Sequence, residues 1–124
     1  SCSKENIWMI FEINNLSNLS LPTDKIIVIL SNLLDNAIEA CLELESERYI
    51  KIKFLVGKDI MLSIKNTTNR NLISKDNMMT IKENKILHGY GLKNIERAVK
   101  ETGGISTVNC KDGWFQYTIL WTCC

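Results

Sequence analysis

The stretch Leu30-Ser31-Asn32-Leu33-Leu34-Asp35-Asn36-Ala37-Ile38-Glu39-Ala40-Cys41 carries two stripes at once. Carried outward at both ends, its apolar residues Ile26, Leu30, Leu33, Ala37, Cys41 and Leu44 recur at spacings of three and four. That period predicts one buried face of a helix running to about Glu45. Pro22-Thr23-Asp24 is its start signal, with Thr23 or Asp24 expected to cap the free N–H groups. The second stripe is polar: Asn32, Asp35, Asn36, Glu39 and Glu43 share one side of the same helix.

Glu39 and Glu43 read as a solvated face. The asparagines do not, because an amide competes for the helix backbone, and a solvated face is better served by Glu, Lys or Gln. Asn32 and Asn36 instead offer two amide oxygens one turn apart on a rigid element. Such oxygens suit Mg²⁺, which keeps waters and substrate phosphates for its remaining positions.

Around this helix the chain alternates. Ile7, Met9, Phe11 and Ile13 against Trp8, Ile10 and Glu12 predict a strand with one well-buried face. Ile50 to Val56 and Ile60 to Ile64 predict a hairpin about Gly57-Lys58-Asp59, and 105–110 with 114–121 a second about Lys111-Asp112-Gly113. Residues 67–87 lack a period and read as one long loop, with Met78-Met79 making apolar contacts inside it. A second helix follows Gly89-Tyr90-Gly91, with Leu92, Ile95, Ala98 and Val99 inward and Gly103-Gly104 as its stop. Hairpin-joined strands predict an α+β fold, a two-layer α/β sandwich with a mixed sheet and helices on one face.

The 124 residues suffice for one domain, 1–124. Fifteen basic against 14 acidic residues give no reason to expect nucleic acid or an anionic membrane as the main partner. The longest apolar run, Ile26 to Leu42, is broken by Ser31, Asn32, Asp35, Asn36 and Glu39 and is no membrane span. Five cysteines without a C-x-x-C pair read as reduced thiols, Cys41 as a small core residue. His88 is the single histidine, which limits any histidine-based acid–base or triad chemistry to one site.

His88-Gly89-Tyr90-Gly91-Leu92-Lys93-Asn94-Ile95 is the second chemical signal. Two glycines at a helix mouth admit a ligand close to the backbone, and the free N–H groups there favour phosphate oxygens. Asn94 stands where a third glycine would complete G-x-G-x-x-G, so neither that fingerprint nor a P-loop is present.

Together, the Asn32–Asn36 block and the Gly89-Tyr90-Gly91 block closely resemble the ATP-binding domain shared by gyrase, a heat-shock chaperone, a mismatch-repair protein and histidine kinases. Among these, the chain looks most like the quorum-sensing sensor kinases of the accessory-gene-regulator type. The resemblance implies the Bergerat-type fold and the cofactors ATP and Mg²⁺. It implies Asn36 as metal ligand and Asn32 as a neighbour of the phosphates. Hydrolytic relatives carry a water-activating glutamate at the position of Asn32, so an amide there spares ATP for transfer to an acceptor. Gly89, Gly91 and Leu92, with His88 and Tyr90 in the same turn, match the glycine box. Lys82 in Thr80-Ile81-Lys82 matches the lid motif. Asn66, followed by Thr67-Thr68-Asn69, stands where the family has D-x-G-x-G and is the expected adenine contact. The implied role is the ATP-binding catalytic domain of a two-component sensor histidine kinase, a fragment whose acceptor histidine lies on its own upstream dimerisation domain. A response regulator is then the indirect partner, and the chain a cytoplasmic domain of a membrane-anchored homodimer. An anti-sigma-factor-like serine kinase and a protein-interaction module without ATP are the rival readings.

Overall fold

The computed structural model describes residues 6–69, 78–80 and 92–122, with 78–80 described by backbone alone. In chain order the elements are β1 (Trp8–Ile13), α1 (Thr23–Leu42), β2 (Tyr49–Val56), β3 (Ile60–Thr67), β4 (Met78–Thr80), α2 (Lys93–Glu101), β5 (Ile105–Lys111) and β6 (Trp114–Trp121). The strands form one sheet in the order β1-β2-β3-β6-β5-β4. It is mixed: β1 and β2 are parallel and every other neighbouring pair is antiparallel.

That topology fixes the helix directions. A parallel pair needs a crossover, and α1 is the return path from the end of β1 to the start of β2. It therefore runs opposite to β2. Through the antiparallel steps to β3, β6 and β5, the start of β5 lies at the end of the sheet where α1 begins. Only Thr102 to Gly104 separate α2 from β5, so α2 ends at that same edge and runs antiparallel to α1.

Inward residues of four strands build the core with the helices. Ile50, Ile52, Phe54 and Val56 of β2, Ile60, Leu62 and Ile64 of β3, Val108 of β5, and Phe115, Tyr117, Ile119 and Trp121 of β6 are all buried. Above them lie Ile26, Ile29, Leu33, Ala37, Ala40 and Cys41 of α1 and Ile95, Ala98 and Val99 of α2. The β5–β6 hairpin closes with Asp112 at φ 52° and Gly113 at φ 81°, the paired positive φ values of a type I′ turn. Gly104 has a different reason to be glycine: a Cβ there would meet Trp121 Nε1 at 2.7 Å.

Five expectations change. β1 exists but has no buried face; all six residues are exposed, Trp8 at 71% and Phe11 at 57%. It is the edge strand, and α1 packs over β3 and β2, so its alternation faces no covering layer. Neither Thr23 nor Asp24 caps α1. Pro22 holds the cap position, its carbonyl accepting the Ile26 N–H at 3.1 Å, which puts Thr23 already inside the first turn. The helix stops at Leu42, and the next two N–H groups bond back only three residues, tightening the end. Ile29 and Ala40, absent from the periodic stripe, are fully buried because α2 covers that flank. Finally, the long aperiodic segment is not wholly loop: β3 continues to Thr67, and β4 pairs with β5 through Met78 opposite Asn109.

Candidate functional site

The site is assembled from α1. Positions i, i+7, i+11 and i+18 fall on one line of a helix with 3.6 residues per turn, so Lys25, Asn32, Asn36 and Glu43 share a flank. Lys25 shows which way it faces, because its Nζ donates to Glu101 Oε1 of α2 at 2.8 Å. That partner, by hydrogen bond and by charge, raises the lysine's pKa. Asn32 and Asn36 thus lie on the flank toward α2. Both are half-buried, and among the described residues neither carboxamide makes a hydrogen bond.

Helix rise brings the start of α2 to them. Leu92 lies nine residues before Glu101, about 14 Å of antiparallel helix, which matches the rise from Lys25 to Leu34. The first turn of α2 therefore sits at the level between Asn32 and Asn36. Leu92 is at its cap position, 2% exposed, and its carbonyl accepts the Glu96 N–H at 2.9 Å. Its side chain is a core anchor, a role distinct from the phosphate contact expected of the turn. His88, Gly89, Tyr90, Gly91 and Lys82 lie outside the described residues.

Asn66 closes the same end of the sheet. It continues the inward parity of Ile60, Leu62 and Ile64 and is 3% exposed. Its Nδ2 donates to the Thr67 carbonyl at 3.0 Å, and no donor among the described residues reaches Oδ1. A buried carbonyl-type oxygen left unpaired costs about 1–3 kcal/mol, so Asn66 is held ready for a donor from outside the described residues.

Sequence reading passed over Thr67. Its Oγ1 accepts the Tyr49 N–H at 2.9 Å and donates to the Glu47 carbonyl at 2.8 Å. Cys41 Sγ lies 3.6 Å from both the Tyr49 and the Thr67 carbonyls. One hydroxyl thereby ties the last turns of α1 to the strand end that bears Asn66. Burial pushes the Cys41 thiol upward in pKa, more than its Thr67 contact lowers it, so it stays a protonated structural group. Only the β-branched threonine at a strand end hinted at this, and its partners come from segments 20 and 26 residues away in the chain.

The donor set fits a magnesium-bound polyphosphate. Among the described residues, two amides without a hydrogen-bond partner lie at the level of a helix N-terminus, and no group of three His, Cys, Asp or Glu side chains offers a cage for a metal. A hard cation at such a place is held by one or two protein oxygens together with phosphate oxygens.

Comparison with known proteins gives the family and the fold. The family model described as GHKL domain matches residues 21–121, and the chain belongs to that family. The catalytic domain of histidine kinase ThkA in a nucleotide-free form superimposes with a TM-score of 0.72 at 21% identity, over 97% of this chain and 82% of its own. Acinetobacter baumannii histidine kinase AdeS gives 0.67 at 17% identity, covering 97% and 56%. Mycobacterial sensor histidine kinase MprB gives 0.63 at 12%, covering 97% and 84%. These likenesses establish the α+β fold of a histidine kinase catalytic domain. A search of curated proteins returned no match.

Proposed function

We propose that the chain is the ATP-binding catalytic domain of a two-component sensor histidine kinase, taking Mg-ATP between α1 and the start of α2. The observation that supports it most is the pair of carboxamides, Asn32 and Asn36, that have no hydrogen-bond partner among the described residues and lie at the level of the α2 N-terminus. Asn66, at the end of β3, has a buried oxygen that no donor among the described residues reaches, suited to accept from the adenine amino group. Gly89, Gly91 and Lys82 are assigned to the phosphates by resemblance alone.

Magnesium, when bound, neutralises phosphate charge during transfer. Asn36 would ligate it and Asn32 would orient the phosphates. An amide at position 32 takes no proton from water, so the site holds ATP without a general base for its hydrolysis. Phosphoryl transfer depends mainly on positioning, which leaves the choice of acceptor to whatever domain is brought to the cleft. Structures of ThkA with a response regulator, TrrA, and of full-length ShkA with AMPPNP support placing this chain in such a pathway. Resemblance extends the reading to a cytoplasmic domain of a membrane-anchored, dimeric quorum-sensing kinase with its acceptor histidine on an upstream dimerisation domain.

Calorimetric titration with Mg-ATP tests the site. Heat of binding in the native chain and its loss in Asn36→Ala, with the unfolding midpoint unchanged, are expected; equal affinity in the two sinks the assignment. The histidine target is tested by adding the dimerisation domain of a full-length homologue and ³²P-ATP. An acid-labile product supports it, and an acid-stable phosphoserine favours the serine-kinase reading.

A further inference from the structure

The face of the sheet away from the helices carries a basic and aromatic trough that takes no part in the nucleotide reading. Lys51 and Lys65 stand directly opposite each other on β2 and β3. Like charges in that register repel. Neither lysine has an ion-pair partner among the described residues. Both ammonium groups instead sit over the ring of Trp114, at 5.3 and 4.9 Å from its centroid, and Tyr49 stacks on that ring at 6.3 Å. The aromatic face lowers the cost of holding the two cations together without an anion.

Two concavities meet here. One, of about 470 Å³, runs from Ile10 and Glu12 past Lys51, Lys53 and Met61 to Gln116. The other, of about 250 Å³, holds Asn109, Lys111 and Trp114. Lys65 and Gln116 line both, so the trough is continuous across the sheet. Its lysines are 51, 53, 65 and 111 and its acids Glu12 and Asp112. Glu12 pairs with Lys53 at 3.7 Å. The surplus charge is centred on Lys51 and Lys65, beside the apolar side chains of Ile10 and Met61.

We propose that this trough docks an acidic amphipathic segment of a partner protein, its carboxylates on Lys51 and Lys65 and its apolar side on Ile10 and Met61. Charge complementarity selects the acid, and the apolar floor selects a segment over a free anion. A planar membrane surface would not reach the floor of a concave site.

The test uses a fluorescein-labelled peptide with glutamate on one helical face and leucine on the other, a scrambled peptide of identical composition, phosphatidylserine vesicles and a single-stranded oligonucleotide. Anisotropy is expected to show the amphipathic peptide binding at least about tenfold more tightly than the scrambled one, a difference of about 1.4 kcal/mol. Lys51→Glu with Lys65→Glu should remove binding while thermal unfolding shows the variant folded. If reversal unfolds the chain, Lys51→Gln with Lys65→Gln replaces it, and amide shifts on β2, β3 and β6 upon peptide addition localise the site. Equal binding of both peptides, binding that survives charge removal, shifts confined to α1 and α2, or tighter binding of vesicles or oligonucleotide would each overturn the proposal.

Discussion

The two faces of the sheet share the same strands and obey the same alternation, yet the helix-covered face is apolar throughout its middle and the open face is not. Inward, Leu62, Tyr117 and Ile119 are almost wholly excluded from water, and the one polar interruption in β3 is Asn66 at the strand end. Outward, Ser63 is buried by its hydrogen bond to Gln116, and Lys51 and Lys65 rest on Trp114. On the covered face Ser106 is satisfied by the Tyr117 hydroxyl at 3.2 Å, whereas Asn66 keeps an oxygen that no donor among the described residues reaches, and that difference singles it out. On the open face polarity is ordinary, and the signal lies in charge left without a counter-charge.

Breaking the covered face should have the largest effect. Leu62→Ala removes a fully buried side chain and is expected to cost about 2–5 kcal/mol in urea unfolding, whereas Thr118→Ala on the open face should stay within about 0.5 kcal/mol. A similar cost for both would end the distinction. Next comes Gly104→Ala, whose added Cβ meets Trp121 at 2.7 Å and should destabilise by about 1–3 kcal/mol. It should also disturb the indole donation from Trp121 to Thr102, visible in the Trp121 indole proton shift.

Alkaline titration sharpens the comparison further. Burial, reinforced by the charge of Glu96 and opposed by the Ser106 hydrogen bond, pushes Tyr117 up to about 12 from its ordinary 10. With its folded pKa raised, the native state holds the proton that the unfolded chain releases. Stability from this group is therefore complete below pH 10 and falls as pH rises from 10 to about 12, by on the order of 2 kcal/mol. Tyr117→Phe should flatten that decline in pH-dependent urea midpoints. The smallest effect is expected for Lys25→Ala, which breaks the exposed pair to Glu101. Any shift in midpoint should vanish near about 1 M salt, where the Debye length is about 3 Å.

β1 shows how far alternation alone reaches. Met9, Phe11 and Ile13 carry the same period-two signal as Ile50, Ile52 and Phe54, because both sets pair in register across β1 and β2. Only the second set lies under a helix, and a one-dimensional pattern has no means of stating where a layer ends. β4 went unread for the converse reason: three residues are too few to make a period, and pairing with β5 defines the strand. The candidate site divides likewise. Asn32 and Asn36 stood out because asparagine is costly in a helix of Leu, Ile and Ala, and Asn66 because its parity continued β3. Thr67 did not, since its value lies in partners distant in the chain.

By itself, then, the sequence determined the two hairpins, the two helices and the sorting of residues to faces, because each depends on periods of two or 3.6 that local geometry enforces. Tertiary structure decided which faces acquire a cover and which flank of α1 meets α2. It also decided that Asn32 and Asn36 lie on the flank of α1 toward α2 and that the strand end bearing Asn66 meets the last turns of α1 at Cys41. Those are consequences of the crossover between β1 and β2 and of the packing of α1 against α2, which join residues whose separation in the chain carries no periodic signal.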